Sequence, residues 1–475
     1  MKKLLTLVVA VLMAVTCCLG LTACGGGESG AKEEQIPAIS FFDVSFSQVE
    51  IDEDFKLGVI CLHDEASTYD KNFIDAAKDA AKKMGLSNEQ LIFKTGIPES
   101  SQCYEEAKVL INAGCDAIFA DSFGHEDFMI QAATEYPNIQ FYHATGTQAH
   151  TKNLPNFHNA FASIYEGRYL AGIAAGMKLN QMISEGKFTA AEAKIGYVGA
   201  WPYAEVKSGY TAFYLGAKSV CPTATMEVKF TNSWYDATAE KETAQALIAN
   251  GCKLISQHAD SMGAPSACEE AGVPNVSYNG STIEECPNTF IISSRIDWTL
   301  YFQNIIAFAN TNEPGAYIPA DFTGGTYDNF KAGTFAMVAL TALNADVAAP
   351  GTVDAIVKAR LELATGTRKV FDVDTFTVTI DPAKTNFGVV INSGATIKVG
   401  EQTIKGSEVT EKVTGKLVEY IADVDDLKGE DGKSTYIPET QVVKTDVKTG
   451  ITYFAESEFR SAPYFDIDID GIILS

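Results

Sequence analysis

The chain has 475 residues, is 46% hydrophobic and carries a formal net charge of −25. That length supports two or three domains with an ample core. That charge excludes nucleic acid and anionic lipid as partners for the bulk surface.

The N-terminus reads as a secretory signal over 1–23. Lys2 and Lys3 precede an apolar run from Leu4 to Leu21, and small residues follow at the cut site. Leu21-Thr22-Ala23-Cys24 resembles a bacterial lipobox, which makes Cys24 the lipidated first residue of the mature chain. Acyl chains there bury methylenes at roughly 0.8 kcal/mol each. The expectation is an extracytoplasmic protein anchored to the cell membrane through Cys24. Residues 24–54 open Gly-, Ser- and Glu-rich and read as a tether. No later apolar run reaches membrane-spanning length.

From Phe55 the pattern alternates strand and helix. Strands are expected at Phe55–Leu62, Gln90–Lys94, Ala117–Ala120 and Ile139–Ala144, with helices at Asn72–Met84, Ser101–Ala113 and Asp127–Glu135. Gly85, Gly114 and Tyr136-Pro137 stop the helices. This block is lobe 1, 55–165, and 296–312 returns to it. Glu166–Met182 is a crossover helix. Lobe 2, 194–295, repeats the scheme. Its strands fall at Lys194–Val198, Thr225–Phe230, Lys253–His258, Val273–Tyr278 and Thr289–Ser293. Its helices fall at Val206–Ala217, Thr238–Asn250 and Ser261–Ala271. Continuous apolar strands alternating with helices imply α/β architecture with parallel sheets covered on both faces. Residues 313–475 belong partly to lobe 2 and carry a β-rich insertion over 367–450, where Thr, Val, Lys and Asp alternate between Gly turns.

Seven of the ten cysteines lie beyond Cys24, mostly in apolar contexts, and read as buried thiols. Cys268–Cys286 and Cys103–Cys115 are the candidate pairings. No Cys-x-x-Cys or His-x-x-x-His spacing occurs, so no metal site is expected. Nor is there a Gly-x-Ser-x-Gly elbow, a Walker A loop or, between a strand and a helix, a Gly-x-Gly-x-x-Gly fingerprint, so no catalysis and no cofactor is expected.

Ligands of open parallel sheets sit beyond the carboxyl ends of the strands. The residues there are polar and aromatic in both blocks: Tyr69 and Asp70 after the first strand, then Asp121, Phe123, His125 and Asp127 after the third. In the second block come Trp201, Trp234, Asp260, Ser261 and Asn279. Aromatics sandwich a flat ring while carboxylates and amides bond its edge. Each residue also has a plain structural role open to it. Trp234 and Phe73 suit a core, Asp127 a helix start, Asn279 a turn and Arg295 a hinge ion pair.

At these exits the chain resembles the basic membrane protein family of bacterial lipoproteins, which includes purine nucleoside receptors of ABC importers. The resemblance runs from about Phe55 to Asn310. It is carried by Tyr69-Asp70-Lys71-Asn72-Phe73, by Asp127 ahead of Tyr136-Pro137, by Tyr165-Glu166-Gly167-Arg168-Tyr169-Leu170-Ala171-Gly172 and by Ser233-Trp234-Tyr235-Asp236. It implies a type I periplasmic-binding-protein fold: two Rossmann-like lobes, three crossovers and a hinge. It also implies that Phe73 and Trp234 stack on a purine and that Asp127 reads the base. Asn279 stands where the family has a ribose-side aspartate, Asp260 where it has glycine and Ile74 where it has asparagine. The family's lysine has no clear counterpart near Ser294 and Arg295. Base stacking thus carries over better than ribose recognition. The reading is a monomeric solute-binding lipoprotein that takes a purine nucleoside or base between its lobes and delivers it to a permease. The alternatives are a nucleoside-processing enzyme and a ligand-sensing surface lipoprotein.

Overall fold

The structure, a computed structural model, describes residues 31–37, 50–311, 321–322, 337–381, 396–405, 411–422 and 440–475. The signal, Cys24 and most of the tether lie outside the described residues, as do parts of the β-rich insertion.

Lobe 1 is built from β1 (Leu57–Ile60), α1 (Thr68–Met84), β2 (Leu91–Lys94), α2 (Ser101–Asn112), β3 (Ala117–Ala120), α3 (Glu126–Glu135), β4 (Gln140–Ala144) and β5 (Phe157–Ala160). Residues of β1 and β3 are buried throughout, as strands covered on both faces must be. Local chemistry sets the helix ends. Ser67 Oγ accepts the Asp70 amide at the start of α1, and Gly85 ends it in the left-handed region at φ 81°. The fifth strand was not foreseen, because His158 and Asn159 interrupt its apolar run. Both are buried and bonded, His158 to Gln140 and Asn159 to Glu126.

The chain then crosses on α4 (Ile164–Ser184) to β6 (Lys194–Gly199), α5 (Ala204–Val220), β7 (Thr225–Phe230), α6 (Ala237–Ala249), β8 (Leu254–His258), α7 (Gly263–Ala271), β9 (Asn275–Tyr278) and β10 (Phe290–Ile296). It returns to lobe 1 through α8 (Thr299–Thr311) and β11 (Asp321–Phe322). It re-enters lobe 2 at β12 (Val338–Leu340), followed by α9 (Thr352–Ala364), a helix the sequence reading did not separate. Antiparallel hairpins follow, and β13 (Ile472–Leu474) joins the lobe 2 sheet.

The lobe 1 sheet runs β11-β5-β4-β3-β1-β2, all parallel. The lobe 2 sheet runs β12-β10-β9-β8-β6-β7-β13, with only β12 antiparallel. Each is a doubly wound sheet whose order reverses once, between β1 and β3 and between β6 and β8.

Helix α4 is buried almost all round, so its pattern carries little amphipathic signal. It packs backbone to backbone on α5. A Cβ at Gly172 would stand 2.0 Å from the Phe213 carbonyl oxygen, and one at Gly216 2.0 Å from that of Tyr169. The lobe 1 core stacks Phe73 on Trp298 at 4.6 Å, beside Phe119 and Phe302. The lobe 2 core runs on without a break into the C-terminal region, where Phe371 stacks on Phe465 at 4.2 Å and on Tyr165 of α4 at 5.4 Å. All seven described cysteines are buried thiols. Cys268 and Cys286 are not joined, nor are Cys103 and Cys115. No helix among the described residues is long and apolar enough to cross a membrane.

Candidate functional site

The two reversal points face each other, and the loops leaving β1, β3, β6 and β8 meet between the lobes. The lobes are shut: the Thr68 amide at the start of α1 donates to the Asp260 carbonyl of lobe 2 at 2.9 Å, and Thr68 Oγ1 donates to the same oxygen at 3.2 Å. Between them lies an inner chamber of about 20 Å³, lined from lobe 1 by Leu62, His63, Tyr69, Asp70, Ser122, Phe123 and Thr145, and from lobe 2 by Glu205, Trp234, His258, Asp260 and Tyr278. An outer chamber of about 240 Å³ shares Leu62, His63, Phe123 and Trp234 and adds Glu99, Trp201, Tyr203, Ser233 and Tyr235. Aromatic contacts bridge the mouth, with His63 against Tyr235 at 5.2 Å and Phe123 against Tyr203 at 5.7 Å. No lysine or arginine among the described residues lines either chamber. The outer chamber approaches the size of a small-ligand site, while the inner one holds about a single water as the lobes stand, and neither lining offers a cation to meet a phosphate.

Thr145 stands at φ 66°, a backbone state that costs a β-branched residue energy. The fold imposes it. Thr145 N donates to the Ala160 carbonyl, and the buried Glu126 carboxylate takes the amides of Thr147 and Gln148 just beyond. Glu240 plays the matching part in lobe 2, accepting from the Ser261 and Asp236 amides. Burial pushes its carboxyl up to about 7.

At the lobe 1 wall, Asp70 comes together with Cys61 and Asp121 behind it, a thiol and two carboxylates within 4.8 Å of one another, all buried. They are the group among the described residues spaced to hold a cation, although Asp70 already accepts from the His63 amide and Ser67 Oγ. Burial and the Asp70 charge push Asp121 well up, so its carboxyl holds a proton. Burial works against the Asp70 carboxylate, but hydrogen bonds from His63 and Ser67 outweigh it and leave the group below its ordinary range. Across the cleft, burial and the charges of Asp70, Glu240 and Glu205 push Asp260 well up. A neutral carboxyl there can donate as well as accept.

Of the residues singled out from sequence, Tyr69, Asp70, Phe123, Trp234 and Asp260 line the inner chamber, and Trp201 lines the outer one. Asp121 lies one layer back, accepting the Leu62 amide while its carbonyl accepts from Tyr69 Oη. Asn279, at φ 64°, donates to Asp260 Oδ1 at 3.3 Å from behind. Ser261 caps α7. His125 is buried against the Ile97 carbonyl, and burial lowers its pKa to about 4. Phe73 faces the lobe 1 core against Trp298 rather than the cleft, because its place on α1 points it at the sheet. Asp127 is exposed in the first turn of α3 and accepts from Gln148. Arg295 sits at the hinge, donating to Asn72 Oδ1, whose amide in turn donates to the Ile296 carbonyl.

A family model described as ABC transporter substrate-binding protein PnrA-like matches residues 58–318, more than half the chain. The chain belongs to the Bmp family. The match covers both lobes of this Bmp protein and its first two crossovers. A putative ABC transporter glucose-binding protein, TsgA13 of Haloferax volcanii, is 38% identical over 39% of this chain and 44% of its own length. The purine-binding protein BAB2_0673 of Brucella abortus is 30% identical over 50% of this chain and 61% of its own length. The chain thus spans about half the length of the curated relatives it matches. Among solved structures, an ABC transporter solute-binding protein from Conexibacter woesei superposes with a TM-score of 0.52 at 18% identity, covering 66% of this chain and 98% of that one. One from Aeropyrum pernix also gives 0.52, at 15% identity, over 67% and 93%. They share its two-lobed α/β periplasmic-binding-protein fold.

His63, Ser122 and Thr145 of the inner wall stand among the strand-exit residues of the sequence, while Leu62, Glu205, His258 and Tyr278 complete the wall of the Bmp cleft without having been singled out. His63, Ser122 and Thr145 carry the same signal as those chosen, a polar residue just past a strand. Glu205 begins a helix several residues beyond its strand, and Tyr278 lies within one, so position alone does not mark them.

Proposed function

We propose that this Bmp protein is the lipid-anchored, extracytoplasmic receptor of an ABC importer, and that it binds a purine base or nucleoside between its lobes and delivers it to the permease. One observation carries the ligand class. The cleft between the lobes combines Trp234, Tyr69 and Phe123 with Asp70, Glu205 and Asp260, and holds no lysine or arginine among the described residues. A flat, uncharged heterocycle with alternating donors and acceptors on its edge fits that combination. The neutral Asp260 carboxyl offers a proton to a ring nitrogen, and the carboxylates accept from N–H groups. The purine-binding relative supports the same class, while the lipobox at Cys24 supports the anchor. The bonds from Thr68 to Asp260 supply the closed form that a permease recognises.

Calorimetric titration with adenine, adenosine, inosine and glucose tests the reading. One or more of the purines binds at a single site per chain, and glucose does not. Glucose binding without purine binding overturns it. In the same assay Trp234→Ala weakens purine binding by about 1–3 kcal/mol, the worth of a base stacked on an aromatic ring. Unchanged affinity removes Trp234 from the site. Release of free base from labelled inosine favours a hydrolase instead.

A further inference from the structure

Arg168 of α4 is fully buried and lies behind the lobe 2 wall. Its Nη2 donates to Tyr197 Oη at 2.7 Å, to Ser256 Oγ and to the Gln257 carbonyl, and its Nη1 reaches the Ser277 carbonyl. A guanidinium only donates, so the Tyr197 oxygen is the acceptor there and its own proton is free to go elsewhere. The next neighbour is His258 Nδ1, at 3.3 Å. Receiving that proton makes Nδ1 an acceptor, which places the ring hydrogen on Nε2. That atom lies 3.1 Å from Glu205 Oε1. Nδ1 is the acceptor within reach of the Tyr197 hydroxyl hydrogen among the described residues, and with that bond made the imidazole is neutral in one tautomer.

The surroundings agree. His258 is faced by Glu205 of α5, Tyr197 of β6, Arg168 of α4 and Tyr278 of β9, whose ring centroid is 4.5 Å away. Burial, with the Arg168 charge adding to it, lowers the pKa of His258 despite the pull of Glu205. Gly209 gives the ring its seat, since a Cβ there would stand 2.8 Å from Nδ1. Glu205 itself lines the inner chamber, and the relay occupies only one of its oxygens.

We propose that Glu205 reads the ligand from lobe 2 as a hydrogen-bond acceptor, and that the relay Arg168–Tyr197–His258 is a set of positioning residues that fix it. The ligand, on the purine reading above, therefore turns an N–H donor such as an exocyclic amine toward α5. Glu205 is one of the acidic groups behind that reading, whereas the relay that holds it is not.

Adenine and 6-dimethylaminopurine, which lacks the exocyclic N–H, are the probes, titrated into the full chain and into Glu205→Gln and Tyr197→Phe between about pH 5 and 8. The wild type prefers adenine by about tenfold or more, because an unanswered acceptor is costly. Glu205→Gln loses most of that preference. Tyr197→Phe weakens adenine binding and makes it fall with acid, since His258 then has no proton donor on Nδ1 and gains a proton of its own. Nitrogen-15 spectra of the imidazoles give a readout independent of ligand, with His258 in the neutral Nε2–H form throughout. Retained preference in Glu205→Gln overturns the role of Glu205. A Tyr197→Phe protein whose affinity loss does not vary with pH, or a wild-type His258 protonated or in the Nδ1–H form, overturns the relay. If the wild type binds neither probe nor any other purine, the purine reading and the N–H donor fall together, and the spectra still decide the relay.

Discussion

Lobe 1 backs the cleft with two buried carboxylates and a thiol, and lobe 2 backs it with a buried guanidinium. The Cys61–Asp70–Asp121 cluster has no arginine or lysine bonded to it among the described residues, and Arg168 takes part in no ion pair among them. The two solutions differ because the two groups differ. A carboxyl can shed its charge in place, and Asp121 does so by keeping a proton. A guanidinium cannot. Lobe 2 therefore supplies hydroxyls and carbonyls as a substitute for water, together with the ring faces of Tyr197, Phe213 and Tyr278 at 5.4, 5.2 and 4.8 Å. The Asp121 carboxyl thus titrates, whereas the caged guanidinium does not.

Arg168→Met is the strongest way to break this contrast. It strands several acceptors and removes charge-assisted bonds worth about 1.5–3 kcal/mol each. Urea unfolding at neutral pH shows a loss of roughly 3–5 kcal/mol. A loss below about 1 kcal/mol would mean that the cage is incidental. Gly172→Ala reaches the same residue indirectly. The new Cβ meets the Phe213 carbonyl, forces α4 off α5 and destabilises by about 1–3 kcal/mol. Asp121→Asn has the opposite sign and the smallest size. Folding wild-type protein above about pH 4 requires Asp121 to take up a proton that its unfolded form has lost, so its contribution to stability falls as pH rises from the unfolded value toward the folded one. Asn removes that penalty and keeps an acceptor for the Leu62 amide. The variant gains on the order of 1 kcal/mol at pH 7, the scale of one pKa unit, and nothing below about pH 4. Asp70 works the other way. Its lowered pKa gives stability above the unfolded value, and that stability is lost as pH falls through the folded one. A pH series of melting curves for Asp121→Asn against wild type separates the two.

Much of the architecture was legible because strand and helix punctuation is local. Gly85 and Ser67 mark the ends of α1 by their own backbone and side-chain chemistry, and Ala117–Ala120 is apolar from end to end. The β5 strand was missed because its buried polar groups are satisfied only by residues brought near in space, such as Glu126. The site follows the same rule. Asp260 and Trp234 sit at strand exits and could be found by position. Phe73 could not be placed, because its two neighbours of consequence are Tyr69, one helical turn away, and Trp298, which comes from the returning α8 region. The Arg168 relay links four elements and leaves no contiguous trace.

The parallel pairing of β13 with β7 has a consequence for biogenesis. Met226 waits for Ile472, about 250 positions later, before the outer rail of its strand is bonded. Until then Thr225–Phe230 offers a bare row of amides and carbonyls to any passing chain. A chain cut short just before β13 would keep the rest of the lobe 2 sheet and present that open rail permanently. Self-association, rather than loss of fold, is the failure expected of such a fragment, and light scattering would reveal it.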